Sequence, residues 1–483
     1  MSKVIADDYF QVFFLGRYFF KVNTMTVGEV YRAVGGRLLQ GNEDVTVSRV
    51  CTDTRQIAPG DLFFALRGEK FDAHDFVDRA VAGGAGALVV SRDVEVRSGV
   101  PLIKVGDTLA GLQALAAYHR RQFAVPVVGI TGSSGKTTTK DMVAAVLEGR
   151  WTVLKTRGNF NNEIGLPLTL FEFSPEHGAA VVEMAMRGPG EIHALCRIAR
   201  PTCAVITNIG VAHLERLGSP EGIARAKGEL LEHISADGFA LLPGDGHLAR
   251  EQARRCHGRV LYFGLEPGLD IYAREVRREG SGNRFTVVMG DMHHELYLPL
   301  PGRHNVRNAL AAFGVGIMLG LSPEQAAVGL SRVVLSGMRM DITDISINGG
   351  TVTIVNDAYN ANPDSACAAL QSLEEVAAGT RRAVAVLGDM LELGGGAVEG
   401  HRRVGAAAVR HRVARLIAVG ELSRETARGA RLAGGVPNGI VSCQNNDEAL
   451  DVLREVLKSG DVLLVKGSRG MHMEEIIKGL LKD

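Results

Sequence analysis

The segment VVGITGSSGKTTTKDM, Val127 to Met142, carries the residue types and spacing that hold a polyphosphate. A buried strand over Val127 to Ile130 runs into Thr131-Gly132-Ser133-Ser134-Gly135, and a helix starts at Lys136. Glycines at 132 and 135 let backbone N–H groups wrap phosphate oxygens. The helix N-terminus adds a favourable dipole, Lys136 adds a charge, and Thr137 offers a hydroxyl to magnesium. Thr131 to Thr138 is thus the expected nucleotide-binding stretch. The strict phosphate-loop pattern has a glycine at position 130, where this chain has Ile130, so the loop is a variant. Alone it specifies a nucleoside triphosphate and leaves GTPase, kinase and transport-ATPase chemistry open.

Such a loop needs a sheet to hold it. AAVVEMA and AVITNIG read as further strands, with helices near Glu191 to Arg200 and Glu221 to His233. Strand–helix alternation of this kind predicts a parallel sheet with helices on its faces. Upstream, LFFAL (Leu62 to Leu66) and ALVV are strands around a helix in DAHDFVDRAVAGGA, and a helix within 105–123 bridges to the loop unit. Downstream of Gly337, TVTIVND, AVAVLGD, RLIAVG and DVLLVKG alternate with helices. They predict a doubly wound domain with Asp357, Asp389 and Lys466 at strand carboxyl ends, where open α/β sheets bind ligands.

At 483 residues the chain has room for roughly three domains of ~150 residues. The expected division is 1–24 as a loosely attached extension, 25–106, 107–336 and 337–483. The fold class is α/β: a central P-loop parallel-sheet domain between a small α/β domain and a C-terminal Rossmann-like domain. Lys plus Arg, 54, balances Asp plus Glu, 54, which argues against a broad polybasic surface for nucleic acid or anionic lipid. Glycine is high at 59 while proline is only 15, so the glycines belong to tight turns near ligands rather than to linkers. The six cysteines form no C-x-x-C pair and read as reduced thiols of a cytoplasmic protein. The longest uncharged apolar run, Ala309 to Leu321, is too short to span a bilayer. Met1 to Thr24 is rich in aromatics but resembles a signal peptide only loosely, since Arg17 interrupts it and no cleavage site follows. The first helix is expected in MTVGEVYRAVGG, from Met25.

Further segments, in order, resemble the Mur ligase family, the ATP-dependent amide-bond ligases of peptidoglycan precursor synthesis. TRGNFNNEIGLPLTL resembles the family's Asn-rich loop and carries Asn159, Asn161 and Asn162. VVEMAMRGPGEI carries Glu183, and TNIGVAHLERLGSPEGIARAKGELL carries His213 and Lys227. PGRHNVRNALAA is similar to the adenine-contacting helix start, with Asn305 and Asn308. GMRMDI gives Arg339, and VNDAYNANPDS gives Asp357, Tyr359, Asn360 and Asn362. CTDTRQIAPGDLFFALRGEKFDAHDFV is similar to the uridine-binding domain of the third and fourth peptide-adding members. There the resemblance places Thr52, Asp53, Thr54 and Arg55 on the UDP part. The Asp-Asn-Pro-Arg motif of the third member is absent, and VLGDMLELG and VKGSRGMHMEEI resemble the fourth.

The resemblance implies a ligase that adds D-alanyl-D-alanine to UDP-N-acetylmuramoyl-tripeptide through an acyl phosphate, the last cytoplasmic step of pentapeptide precursor synthesis. ATP and Mg2+, as one or two ions, are implied. Lys136, Glu183, His213, Lys227 and Arg339 would serve catalysis, and Thr137, Glu183, His213 and a carbamate on Lys227 would hold metal. Mg2+ prefers oxygen, so a histidine ligand suggests that Mn2+ can substitute. Ile223, Lys227 and Leu230 at i, i+4 and i+7 put Lys227 near a partly apolar face, where an ammonium is poorly solvated. Arg339 would lie near phosphate, Asp357 near ribose, and Lys466 with Arg469 at the dipeptide's carboxylate. The alternatives are addition of a diamino acid to the dipeptide precursor, or a nucleotide-dependent switch or binding module. A monomer in the bacterial cytoplasm is expected, with no nucleic-acid partner. The third peptide residue, meso-diaminopimelate or lysine, is open.

Overall fold

The structure, a computed structural model, describes residues 20–68, 71–210, 214–347 and 350–482. His213 and the first nineteen residues lie outside the described residues. Three sheets with flanking helices give the α/β architecture expected from the sequence.

The first sheet contains β1 (Phe20–Thr26), β2 (Arg37–Gln40), β3 (Thr46–Cys51), β4 (Leu62–Phe64), β5 (Ala87–Val90) and β6 (Leu102–Lys104). Their order is β1-β3-β4-β5-β6-β2. Strands β3 to β6 run parallel, and β1 and β2 close the edges antiparallel. Residues 20–24, expected in a loose extension, therefore belong to this sheet through β1, whose Phe20 pairs with Val50. Helix Val27–Ala33 starts later than Met25 because Thr26 caps it: its hydroxyl accepts the Glu29 N–H, and Glu29 reaches back to the Thr26 N–H.

The second sheet contains β7 (Val127–Thr131), β8 (Thr152–Lys155), β9 (His177–Glu183), β10 (Cys203–Ile206), β11 (Phe239–Pro243), β12 (Arg259–Gly264), β13 (Ile271–Glu279), β14 (Gly282–Met289) and β15 (Met292–Leu298). Their order is β15-β14-β13-β12-β11-β10-β7-β9-β8. The antiparallel meander β13 to β15 had no counterpart in the sequence reading. Its first strand, IYAREVRRE, is largely exposed and charged, so it lacks the buried apolar run that marked the strands read from the sequence.

The third sheet contains β16 (Asp341–Ile347), β17 (Gly350–Asn356), β18 (Ala383–Gly388), β19 (Arg415–Val419), β20 (Ile440–Cys443) and β21 (Val462–Lys466), in the order β16-β17-β21-β18-β19-β20. Strands β17 to β21 are parallel, with β16 an antiparallel edge. Helices Pro363–Ala377, Ala397–Arg410 and Ser423–Leu432 bury Leu373, Val404 and Ala427 against one face. Helices Asn446–Val456 and Glu474–Leu480 bury Leu453 and Ile476 against the other. The sheet is doubly wound, with its switch point between β21 and β18.

By compactness the described chain forms two units. The first runs through Gly129 and includes Trp151–Met186 and Gly190–Cys203; the second holds Ile130–Arg150, Arg187–Pro189 and the chain from Ala204 onward. In the second unit helix Lys136–Leu147 packs on helix Arg303–Met318. The two approach closely because Gly316 faces Val146: a Cβ at 316 would stand 2.5 Å from a Val146 methyl.

Candidate active site

Strand β7 delivers the phosphate loop into the second unit. A Cβ at Gly132 would stand 1.9 Å from Thr207 Oγ1, so any other residue there would have to displace Thr207. Gly135 takes a left-handed φ of +76° and begins the helix without a side-chain cap, which leaves the first-turn N–H groups to a ligand. Residues Thr207 to Gly210, missed in the sequence, brace the loop from behind. Asn208 accepts the Ser134 N–H at 2.8 Å and donates to Ser134 Oγ at 2.7 Å, and Thr207 Oγ1 donates to the Ser134 carbonyl at 2.5 Å. Ser133 N–H donates to the Asn208 carbonyl at 3.1 Å, and the Gly210 N–H reaches Ser133 Oγ at 2.9 Å. Lys136 Nζ folds back to the Gly132 carbonyl at 2.8 Å. Thr131 and Thr137 are buried, and Thr138 half-buried. The loop is held in its wrapping shape before any ligand arrives.

The residues expected at the nucleoside come from two places. Asn305 and Asn308 are buried in the first turns of helix Arg303–Met318. Asn305 spends its amide on the Pro301 carbonyl at 2.7 Å, and Asn308 lies against the loop, 3.0 Å from where a Cβ of Gly135 would be. Their neighbour His304, which the sequence reading passed over, has a buried Nδ1 with no partner. Burial pushes its imidazole down to about 4, with Asp357 pulling the other way and Lys466 and Arg307 adding to the drop. Its place beside Asn305 in RHN was the available clue.

At the carboxyl ends of β17 and β21, Lys466 is buried rather than a solvated basic turn. Its ammonium donates to Asp357 Oδ2 at 2.5 Å and to the Asn360 carbonyl at 2.8 Å. Arg469 pairs with Glu474 at 2.7 Å. Arg339 lays its guanidinium over the Tyr359 ring, 4.2 Å from the centroid. Asn362 caps helix Pro363–Ala377 and donates Nδ2 to the Ser133 carbonyl at 3.4 Å, so this strand-end cluster reaches the phosphate loop. Asp389, at the end of β18, accepts the Ser423 N–H at 2.6 Å.

Lys227 stands on helix Pro220–Gly228 and is 2% exposed. Among the described residues no hydrogen bond or ion pair reaches its amine. Burial, and secondarily the Lys136 charge, holds it well below the usual lysine range. Its surroundings thus disfavour the ammonium form.

The first unit carries the remaining candidates. Glu183 ends β9, buried, with Asn161 Nδ2 donating to its Oε1 at 2.8 Å and Thr156 Oγ1 accepting its N–H at 3.0 Å. Asn162 Oδ1 accepts the Gly165 N–H at 2.8 Å and starts helix Gly165–Phe171; Asn159 is half-buried beside them. In the first sheet, Asp53 and Arg55 form a bidentate pair, with Nε at 2.9 Å and Nη2 at 2.6 Å. Burial raises the Asp53 carboxyl, but the Arg55 bonds outweigh it and hold it below its ordinary value. Thr52 and Thr54 flank it half-buried. Among the described residues no three His, Cys, Asp or Glu side chains converge as a metal cluster.

A nucleotide-binding loop in a parallel sheet, followed by a doubly wound domain whose strand ends meet that loop, defines a P-loop α/β enzyme. Three family models match: "Mur ligase family, catalytic domain" over residues 46–120, "Mur ligase middle domain" over 130–316, and "Mur ligase, glutamate ligase domain" over 338–469. The chain is 39% identical over 460 residues to the UDP-N-acetylmuramoyl-tripeptide–D-alanyl-D-alanine ligase of Bacillus subtilis, covering 95% of this chain and 98% of that one. It is 37% identical over 464 residues to the Escherichia coli ligase of the same name, covering 95% and 99%. A crystal structure of MurF from Acinetobacter baumannii superposes with a TM-score of 0.86 at 33% identity, over 96% of this chain and 100% of that one. MurF ligase from Thermotoga maritima in complex with ADP gives 0.79 at 29% identity, over 90% and 97%. The chain belongs to the Mur ligase family.

Proposed function

We propose that this chain is the ATP-dependent ligase that joins D-alanyl-D-alanine to UDP-N-acetylmuramoyl-tripeptide. The observation that carries this reading is the whole-length likeness to ligases of that name, 39% over 95% of the chain. The tripeptide's terminal carboxylate oxygen attacks the γ-phosphorus of ATP, the bond to ADP breaks, and an acyl phosphate forms. The free amine of D-alanyl-D-alanine attacks the acyl carbon. The amine loses a proton, inorganic phosphate leaves, and an amide remains. Little of this is covalent work for the protein; it positions groups and stabilises charge.

The loop amides and Lys136 hold the β and γ phosphates, and the Thr207–Gly210 brace keeps them aimed. Arg339, steadied on Tyr359, meets charge on the transferring phosphoryl group. Asp357, oriented by Lys466, takes the ribose, and neutral His304 with Asn305 and Asn308 takes the adenine. Lys466 thus serves Asp357, and Arg469 keeps the dipeptide's carboxylate. On the resemblance, Thr52, Asp53, Thr54 and Arg55 are assigned to the uridine diphosphate, and Asn159, Asn161, Asn162, Tyr359, Asn360 and Asn362 to substrate binding.

Lys227 fits a divalent-ion site only after modification. As an ammonium it would repel Mg2+; burial shifts it toward the neutral amine, which can add CO2 and release one proton, giving an oxygen-donor carbamate. Thr137, Glu183 and His213 would join it as ligands, to one or two ions, on the resemblance alone. The ion, Mg2+ or Mn2+, would supply charge neutralisation on the phosphates. The enzyme is a cytoplasmic monomer in this reading; no helix among the described residues is long and apolar enough to cross a membrane.

The test is phosphate release from ATP with UDP-tripeptide and a panel of amines. Release is expected only when muropeptide and D-alanyl-D-alanine are both present. Preference for a diamino acid on the dipeptide precursor would make the chain another member of the family. Release indifferent to muropeptide would make it a nucleotide switch.

A further inference from the structure

Residues 332–340 join helix Pro323–Ser331 to strand β16, and Arg339 is carried on this connection. The connection is tied to the phosphate-loop helix at Ser336. Its N–H donates to Asp141 Oδ2 at 2.7 Å, and its hydroxyl donates to Asp141 Oδ1 at 2.9 Å. Asp141 is fully buried, as is Lys140, which pairs with it at 3.0 Å. A buried ion pair adds little stability over an apolar pair of the same size, so its use here calls for a second purpose.

Asp141 follows Lys136 by five residues on one helix, which sets it about 7.5 Å along the axis. Arg339 follows Ser336 by three residues, so their Cα atoms lie within about 11 Å however extended the chain is. Gly337 turns the chain at a left-handed φ of +75°. The Met338 carbonyl then accepts the Tyr359 N–H at 3.2 Å, and the guanidinium rests on the Tyr359 ring. The arm bearing Arg339 is therefore fixed at two points, one of them on the helix that begins with Lys136.

We infer that Ser336 and Asp141 form a latch that sets Arg339 in register with Lys136, making Ser336 a positioning residue for phosphoryl transfer. This rests on the role proposed above for Arg339. Neither latch residue is among those assigned above to nucleotide or peptide, so its removal is expected to act on turnover and not on substrate affinity.

The test is a double-mutant cycle of Ser336→Ala and Arg339→Ala in the full-length enzyme, read as phosphate release with both substrates. Ser336→Ala is the primary variant because Asp141→Asn would also remove the charge paired with the Lys140 ammonium. Expected are a kcat loss of about tenfold for Ser336→Ala, a KM for UDP-tripeptide within about twofold, and activity regained in Ser336→Thr. The double variant should turn over at the rate of Arg339→Ala alone. Unchanged kcat in Ser336→Ala, or losses that multiply in the double variant, would overturn the latch and leave the role of Arg339 intact. Full turnover in Arg339→Ala would overturn the role of Arg339 and the latch with it.

Discussion

Lys466 and Lys227 are both buried in the same unit, and their surroundings differ completely. Lys466, at the end of β21, gives its ammonium to Asp357 at 2.5 Å and to the Asn360 carbonyl at 2.8 Å. Lys227, on helix Pro220–Gly228, has no partner among the described residues and lies in the field of Lys136. A charge out of water is costly unless paired, and an unpaired group sheds its charge instead. The paired lysine is therefore architecture: it holds the loop from Asp357 to Asn360. The unpaired one is shifted toward the neutral amine, the form that the proposed carbamate requires.

Substitutions at four positions would break or sharpen that contrast. The largest effect belongs to the third lysine, Lys136, which falls in neither class because its proposed role is to hold the phosphates of ATP. Lys136→Ala is expected to abolish ligation while calorimetric titration with UDP-tripeptide stays as in the wild type. Loss of both would mean misfolding.

Lys227→Ala is expected to lower kcat about 1000-fold. Short-chain carboxylates should restore part of it, and bicarbonate should raise the wild-type rate after CO2 depletion. Stability should move oppositely. Lys227→Met replaces an unpaired buried amine with an apolar chain and should gain about 1 kcal/mol in urea unfolding. The pH sense follows from the folded amine lying below the unfolded value of 10.5. In CO2-free buffer the unfolded chain binds more protons between those values, so wild-type stability climbs with pH across that window. Lys227→Met should remove that part of the climb; parallel pH–stability curves for the two proteins would show that Lys227 is not depressed.

Arg339→Ala is expected to cost about 100-fold in kcat with UDP-tripeptide affinity within about twofold. Equal loss in both would place Arg339 in substrate binding. The smallest effect on turnover belongs to Lys466→Met. It should weaken the fold by about 3 kcal/mol, since it leaves Asp357 without its counter-charge, and raise KM for ATP ahead of any fall in kcat. A kcat collapse without loss of stability would move Lys466 from architecture to chemistry.

The same contrast explains what could be read in the sequence. The phosphate loop was legible because its function is written in consecutive residues, and many of the parallel strands because they are buried apolar runs, such as VVGIT or AVAVLG, whereas TVLK, half-exposed, was not. The apolar spacing around Lys227 announced its burial. Its lack of a partner could not be read, because pairing depends on residues far apart in sequence. Lys466 and Asp357 are separated by 109 positions, and Ser336 and Asp141 by 195. Strand β1 was missed because the cap at Thr26 divides one run, Phe20 to Ala33, between strand and helix. Asn208 was missed because a bracing side chain has no motif of its own; only the fold brings it to Ser134.

The measurement that tests the ligase account most directly uses UDP-tripeptide carrying oxygen-18 in its terminal carboxylate. Attack of that carboxylate on the γ-phosphorus, followed by amide formation, transfers one carboxylate oxygen to phosphate. Mass spectrometry of the released phosphate should show one labelled oxygen for each D-alanyl-D-alanine joined. Unlabelled phosphate accompanying amide formation, or phosphate released with no amide at all, would contradict it.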